Sequence, residues 1–186
     1  PAAADPQAPA SEVRSAVASF AGGCFWCMED AFEGVEGVVS ATSGYTGGRT
    51  PQPTYEQVSA GGTGHAESVE VVFDPARISY AQLLDRYWHN VDPLTAGGQF
   101  CDHGSQYRTA IFTHDENQIR LAEETKRAVE KELGAPVATE IAPAGPFFPA
   151  EEYHQDYARK NPLRYHYYRA GCGRDARLER VWGKPR

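Results

Sequence analysis

The segment Gly22-Gly23-Cys24-Phe25-Trp26-Cys27 constrains this chain more than any other. Ahead of it, Ala16 to Phe20 reads as a short buried strand that ends at Gly22-Gly23. Behind it, Phe25 to Phe32 reads as a helix whose apolar face runs through Met28, Ala31 and Phe32, stopped by Gly34 and Gly37. Cys24 therefore opens a helix. Free backbone N–H groups and the positive end of the helix dipole stabilise a thiolate there. Phe25 and Trp26 supply an apolar wall beside the sulfur.

The β-branched run Val38 to Ser43 follows, and Gly44-Tyr45-Thr46-Gly47-Gly48 reads as a tight turn or loop, with a long loop through Thr50 to Tyr55. Val69, Val71 and Phe73 alternate with Ser68 and Glu70 in a half-buried strand. Glu67 shares the face of Val69 and Val71, which turns a carboxyl inward at the strand mouth. Ser79-Tyr80-Ala81-Gln82 is a capping box ahead of the apolar face Leu83, Leu84, Tyr87 and Trp88. Arg108 to Thr113 is strand-like. A second capping box, Thr113 to Glu116, opens the clearest helix, about Asp115 to Leu133, and Val137, Thr139 and Ile141 alternate again. This order predicts an α+β fold, a two-layer α/β sandwich with a ferredoxin-like, split βαβ core. From about residue 143 to 186 the chain is rich in Pro, Tyr and charge and poor in period, and it reads as a long irregular tail wrapping the core. Tyr153, Tyr157, Tyr165, Tyr167 and Tyr168 are expected to pack along it.

With 186 residues and 41% hydrophobic content, one catalytic domain over 16–186 is the expectation, preceded by a disordered tail or tether over 1–15. The net charge of -7, with no basic block interleaved with aromatics, argues against nucleic acid. No apolar run reaches membrane-spanning length. The small-residue and proline start, without an initiator Met, fits a removed export signal or a trimmed chain, and tilts the expected location towards a bacterial periplasm over the cytoplasm. A monomer is expected. Four cysteines are too few and too scattered for a disulfide-stapled mini-domain, and point to redox chemistry.

Cys24 is the candidate nucleophile. Glu67 is the candidate general acid, because a carboxyl on an apolar strand face keeps its proton near neutral pH. Tyr55 and Tyr107 are phenolic donors on loops, and Asp102 can orient a loop backbone. His65 and His103 read as structural hydrogen-bonders. Cys172, between Gly171 and Gly173, reads as a mobile thiol able to reach another sulfur. Two other readings compete. Cys24 and Cys27 form a C-x-x-C pair suited to a general dithiol–disulfide oxidoreductase. Cys24, Cys27, Cys101 and His103 could converge on zinc, but C-x-x-C with only C-x-H lacks the usual paired spacing, so no metal is expected. A non-catalytic peptide-binding module is the third.

These residues resemble the peptide methionine sulfoxide reductase A family. The motifs are Gly23-Cys24-Phe25-Trp26, Gly44-Tyr45-Thr46-Gly47-Gly48, Pro53-Thr54-Tyr55, Gly64-His65-Ala66-Glu67 and Asp102-His103-Gly104-Ser105-Gln106-Tyr107-Arg108, and the match spans Val17 to Trp182. The resemblance implies that Cys24 attacks the sulfur of a methionine S-sulfoxide, free or in oxidised proteins, with Phe25 and Trp26 holding the methyl group. Glu67 would protonate the oxygen, and Tyr55 and Tyr107 would hydrogen-bond it. A sulfenic acid on Cys24 would then condense with a second cysteine, and thioredoxin or a similar dithiol would reduce the disulfide, without metal or organic cofactor. Cys172 is the favoured resolving thiol, since the family commonly uses a glycine-flanked C-terminal cysteine. Cys27 and Cys101 are the alternatives, with a Cys27–Cys101 link among them.

Overall fold

A computed structural model describes residues 14–184, so most of the expected tail over 1–15 lies outside the described residues. The main sheet is built from β1 (Ala16–Gly22), β2 (Val38–Thr46), β3 (Ala66–Phe73), β6 (Thr109–Thr113), β7 (Glu140–Pro143) and β8 (Phe148–Pro149), and a small hairpin pairs β4 (Gly98–Gln99) with β5 (Asp102–His103). Strands run in the order β7-β6-β1-β3-β2-β8. The inner four, β6-β1-β3-β2, pair antiparallel throughout, so β3 lies between β1 and β2. That is the split βαβ arrangement the element order predicts. β7 extends one edge in parallel with β6, and β8 extends the other antiparallel to β2.

One face of the sheet carries the core. Ala18 and Phe20 of β1 and Val69, Val71 and Phe73 of β3 meet Met28 and Phe32 of α1 (Phe25–Phe32). Leu83, Leu84, Tyr87 and Trp88 of α3 (Tyr80–Trp88) and Ala122 and Val129 of α4 (Glu116–Leu133) complete it. Phe20 stacks between Phe32 and Tyr87 at centroid distances of 5.2 and 4.9 Å. Offset aromatic pairs of this kind add about 0.5–1.5 kcal/mol to the burial itself. The Ser79 and Gln82 capping box closes as expected, satisfying two N–H groups that the first turn of α3 would otherwise leave open.

Several local expectations fail for identifiable reasons. The Thr113 to Glu116 capping box does not form, because α4 begins two residues later with Asp115 as its N-cap, accepting from the Gln118 N–H. Gly44 to Thr46 is not a turn but the end of β2, and Gly44 is there because β8 crosses it: a Cβ would lie 2.5 Å from the Phe148 carbonyl oxygen. The loop after Pro53 holds a short helix, α2 (Tyr55–Ala60), whose capping box between Thr54 and Gln57 has the same spacing as Ser79 to Gln82 but sits in a proline- and glycine-rich stretch that reads as loop. The C-terminal segment does wrap the core, but as α5 (Tyr157–Lys160), α6 (Pro162–Cys172) and α7 (Arg174–Trp182) rather than as irregular chain. Tyr165 is buried on α6 while Leu163 and Tyr167 on the same helix are each 85% exposed, so aromatic and apolar residues on both faces erase the period. Tyr167 thus stays largely in solvent, against expectation. Among the described residues no helix is long and apolar enough to cross a membrane.

Candidate active site

Register places the chemistry. Ala21 of β1 faces Ser68 of β3, and Tyr45 of β2 faces Glu67, so the Gly22-Gly23 turn comes off the sheet beside Glu67. Gly23 has φ +85 and a Cβ there would meet Gln99 at 2.7 Å, which explains a glycine immediately before the cysteine. Cys24 occupies the N-cap of α1, and its carbonyl accepts from the N–H groups of Cys27 and Met28 at 3.1 and 3.3 Å. The next N–H, of Phe25, donates to Glu67 Oε2 at 3.0 Å. Strand mouth and helix start are thereby pinned together. Glu29, one turn on, anchors α1 by accepting from the Ser43 hydroxyl at 2.8 Å and the Asp156 N–H at 2.9 Å.

A cavity of about 200 Å³ opens at this junction, lined by Cys24, Phe25, Trp26, Tyr55, Glu67, Asp102, Tyr107 and Tyr168. Seven of these eight are residues the sequence singles out; the eighth, Tyr168, is expected there only to pack. Trp26 is held on three sides: stacked on Tyr157 at 3.7 Å, edge-on to Tyr168 at 5.7 Å, and donating from Nε1 to His154 Nδ1 at 3.0 Å. Burial holds His154 below the usual imidazole range, so its neutral ring can accept that bond. Glu151 accepts from the Tyr45 hydroxyl at 3.0 Å and from the Tyr55 N–H at 3.1 Å, fixing the start of α2 on the cavity rim. Neither Glu151 nor His154 is legible in sequence, because their partners lie some hundred residues away. His65 is a structural hydrogen-bonder, as expected: its Nδ1 accepts from the Gly48 N–H at 3.0 Å, leaving Nε2 to donate to the Thr50 carbonyl at 2.7 Å.

Burial sets the acid–base character. Glu67, 3% exposed, is pushed up to about 8, chiefly by desolvation and further by Asp102 and Cys27, against the pull of the Phe25 N–H. Its carboxyl keeps its proton at neutral pH. The Tyr55 and Tyr107 phenols, also raised by burial first, remain donors throughout. Burial likewise lifts the Cys24 thiol well above its ordinary value, and the hydrogen bond with Cys27 and the charges of Cys27 and Glu67 push the same way; the Tyr168 hydroxyl opposes them. Cys27 moves down to about 6, because Cys24 hydrogen-bonds its thiolate and the Arg174 and Arg169 charges outweigh its burial. The two thiols act as one unit that gives up its first proton well below the ordinary thiol range. Arg174 is itself buried: Nη2 donates to the carbonyls of Gly22 at 3.1 Å and Asn90 at 2.6 Å, and its guanidinium lies over the Phe100 ring at 4.4 Å.

Of the four cysteines, Cys24 and Cys27 are free and buried together with Tyr165. Cys101 and Cys172 form a disulfide across 71 residues, a pairing that sequence does not single out. In that state neither sulfur is free for zinc. A nucleophile that shares a proton with its neighbour, beside a carboxyl held neutral and walled by aromatic rings, defines a cysteine-dependent oxidoreductase site.

The model of the peptide methionine sulfoxide reductase family matches residues 16–186, and the chain belongs to that family. It is 51% identical over 170 residues to the peptide methionine sulfoxide reductase MsrA of Bacillus licheniformis, covering 90% of this chain and 94% of that one. Its fold is similar to the reduced form of Mxr1 from Saccharomyces cerevisiae, with a TM-score of 0.77 and 31% identity over 82% of this chain and 88% of that one. The complex of Mxr1 with Trx2 aligns at a TM-score of 0.57 and 22% identity, over 82% and 91% of the two chains.

Proposed function

We propose that this protein reduces methionine S-sulfoxide, free or in oxidised proteins, with Cys24 as nucleophile. The observation that carries the reading is a buried Glu67 carboxyl sharing a 200 Å³ cavity with the Cys24 thiol, where desolvation favours its protonated form. A sulfoxide needs an attacking sulfur and an acid for its oxygen at the same pH. As Cys24 attacks, the neighbouring Cys27 thiolate accepts its proton, and Glu67 delivers a proton to the sulfoxide oxygen while Tyr55 and Tyr107 donate hydrogen bonds to it. Phe25 and Trp26 receive the methyl group. With methyl, oxygen and attacking sulfur assigned to three fixed sites, the remaining arm of the sulfur must point out of the cavity. Only one sulfoxide configuration satisfies that, and family membership makes it the S epimer. Thiol plus sulfoxide yields sulfenic acid plus methionine; sulfenic acid plus the Cys27 thiol yields a disulfide plus water.

Cys27, not Cys172, is the thiol beside Cys24, so the first disulfide is assigned to Cys24–Cys27. Cys172 then enters by thiol–disulfide exchange, and Cys101 closes on it, which returns Cys24 and Cys27 as thiols. Cys101 is exposed, and a thioredoxin-type dithiol can reopen the bond there. The test gives the protein each sulfoxide epimer in turn without reductant and quantifies methionine. Stoichiometric release from the S epimer alone, absent in Cys24→Ser, is expected. Release from neither epimer overturns the reading.

A further inference from the structure

Tyr168 stands one helical turn before Cys172 on α6. It lines the cavity with Cys24 and packs against the cluster of Cys24, Cys27 and Tyr165, and its hydroxyl donates to Asp102 Oδ2. Cys172 Sγ lies 3.8 Å from the same oxygen. The ring sits edge-on to Trp26, interplanar angle 83°, so the methyl wall and the hydroxyl are set by one contact. Cys101 neighbours Asp102 in sequence, so the Cys101–Cys172 bond ties the helix carrying the phenol to the segment carrying its acceptor. Nothing about packing alone requires a hydroxyl here.

We propose that Tyr168 is a third catalytic phenol, one that serves the nucleophile rather than the substrate oxygen. This rests on the reductase reading and on Cys24 as its nucleophile. A phenol has one hydrogen and accepts through its lone pairs. While Cys24 is a thiol, the Tyr168 hydrogen goes to Asp102. When Cys24 becomes the thiolate, that hydrogen turns to the sulfur. Asp102, partly exposed, takes water in its place. No bond to hydrogen is broken in the turn; the donor changes acceptor. The hydroxyl thus opposes the burial that disfavours a Cys24 thiolate, in the direction the surroundings of Cys24 require. Tyr55 and Tyr107 handle the oxygen, and Tyr168 handles the sulfur.

Tyr168→Phe tests this, since the ring and its edge contact with Trp26 remain. Two quantities are measured without reductant on folded protein: the rate of the first methionine release, and the pH profile of Cys24 alkylation by iodoacetamide, assigned by peptide mapping. Losing a hydrogen bond to a charged sulfur should slow the first release about ten- to a hundredfold at pH 7 and move the alkylation profile up by about one pH unit or more. A slower release with an unmoved alkylation profile would show a merely structural part and overturn the proposal. Equal rates and profiles in the two proteins would overturn it as well. Should wild type itself release no methionine while its alkylation profile still differs from Tyr168→Phe, the reductase reading falls and the contact to sulfur stands.

Discussion

Replacing Glu67 by Gln separates acid catalysis from positioning, because the amide oxygen can still accept the Phe25 N–H at 3.0 Å and so keep α1 in place. With its carboxyl at about 8, roughly nine in ten molecules hold the proton at pH 7; at the ordinary value of 4.5 it would be about one in three hundred. An amide cannot deliver a proton, so the first methionine release should fall about 10²–10⁴-fold at pH 7. Stability supplies an independent check. The folded state holds the proton up to about pH 8, whereas the unfolded chain loses it near 4.5. The folded state therefore binds more protons in that window, and wild type loses about 1.4 kcal/mol per pH unit through this group as pH rises, levelling off above 8. The amide of the variant does not titrate. The stability difference between E67Q and wild type, from urea unfolding at pH 5 and pH 8, should thus grow by about 4 kcal/mol in favour of the variant. Titrating groups that do not interact with Glu67 cancel in that difference. A difference that stays flat between the two pH values would refute the claim that burial holds Glu67 neutral, whatever the activity result.

Electron counting tests the cysteine order. A chain with all four thiols reduced holds two disulfides' worth of electrons and should release two methionines without reductant, and Cys172→Ser only one; a single equivalent from wild type would sink the exchange to Cys172. In Cys27→Ser one equivalent is expected, more slowly at pH 7 because the base beside Cys24 is gone, and two equivalents would mean that Cys172 resolves the sulfenic acid directly. Glu151→Ala leaves the buried Tyr45 hydroxyl and the Tyr55 N–H without their acceptor, a cost of about 1–3 kcal/mol in thermal or urea unfolding, with KM raised through a loosened Tyr55. Glu151→Gln keeps an acceptor and should recover most of both, and a full loss there would assign the effect to charge.

What sequence can show follows from how local each signal is. Gly22-Gly23 before a helical period, the alternation through Glu67, and the Ser79 to Gln82 capping box act within a few residues, and the inner four strands and the seating of Cys24 beside Glu67 follow from them. Those few elements already contain nucleophile and acid. The β2 end is misread because Gly44 looks like a turn residue until β8 is known to cross it. The helices α5 to α7 are misread because their faces are defined by what they meet: Tyr157 meets Trp26, Tyr165 meets Asp30, and Arg174 meets the carbonyls of Gly22 and Asn90. A tyrosine that packs and a tyrosine that reaches a reactive sulfur look alike among ten tyrosines. Only the fold distinguishes Tyr168 from Tyr167, its immediate neighbour, which is 85% exposed.

One physical cause, burial, works for one half of this reaction and against the other. It keeps the Glu67 proton available up to about 8, and by the same desolvation it disfavours the thiolate on Cys24. A site with only these two residues would have its acid ready and its nucleophile silent at neutral pH. At Glu67 the Phe25 N–H offsets burial only in part, while several residues offset it around the sulfur. Arg174 sits under the turn with backbone carbonyls as its hydrogen-bond acceptors there, Cys27 takes the first ionisation near 6, and Tyr168 places a hydroxyl against Cys24. Acid and thiolate are then available together between about 6 and 8. The first methionine release should accordingly peak within that window, its upper limb set by Glu67 and its lower limb by the Cys24–Cys27 pair. Cys27→Ser should push the lower limb up in pH and leave the upper one where it is; a lower limb that does not move would detach Cys27 from the activation of Cys24.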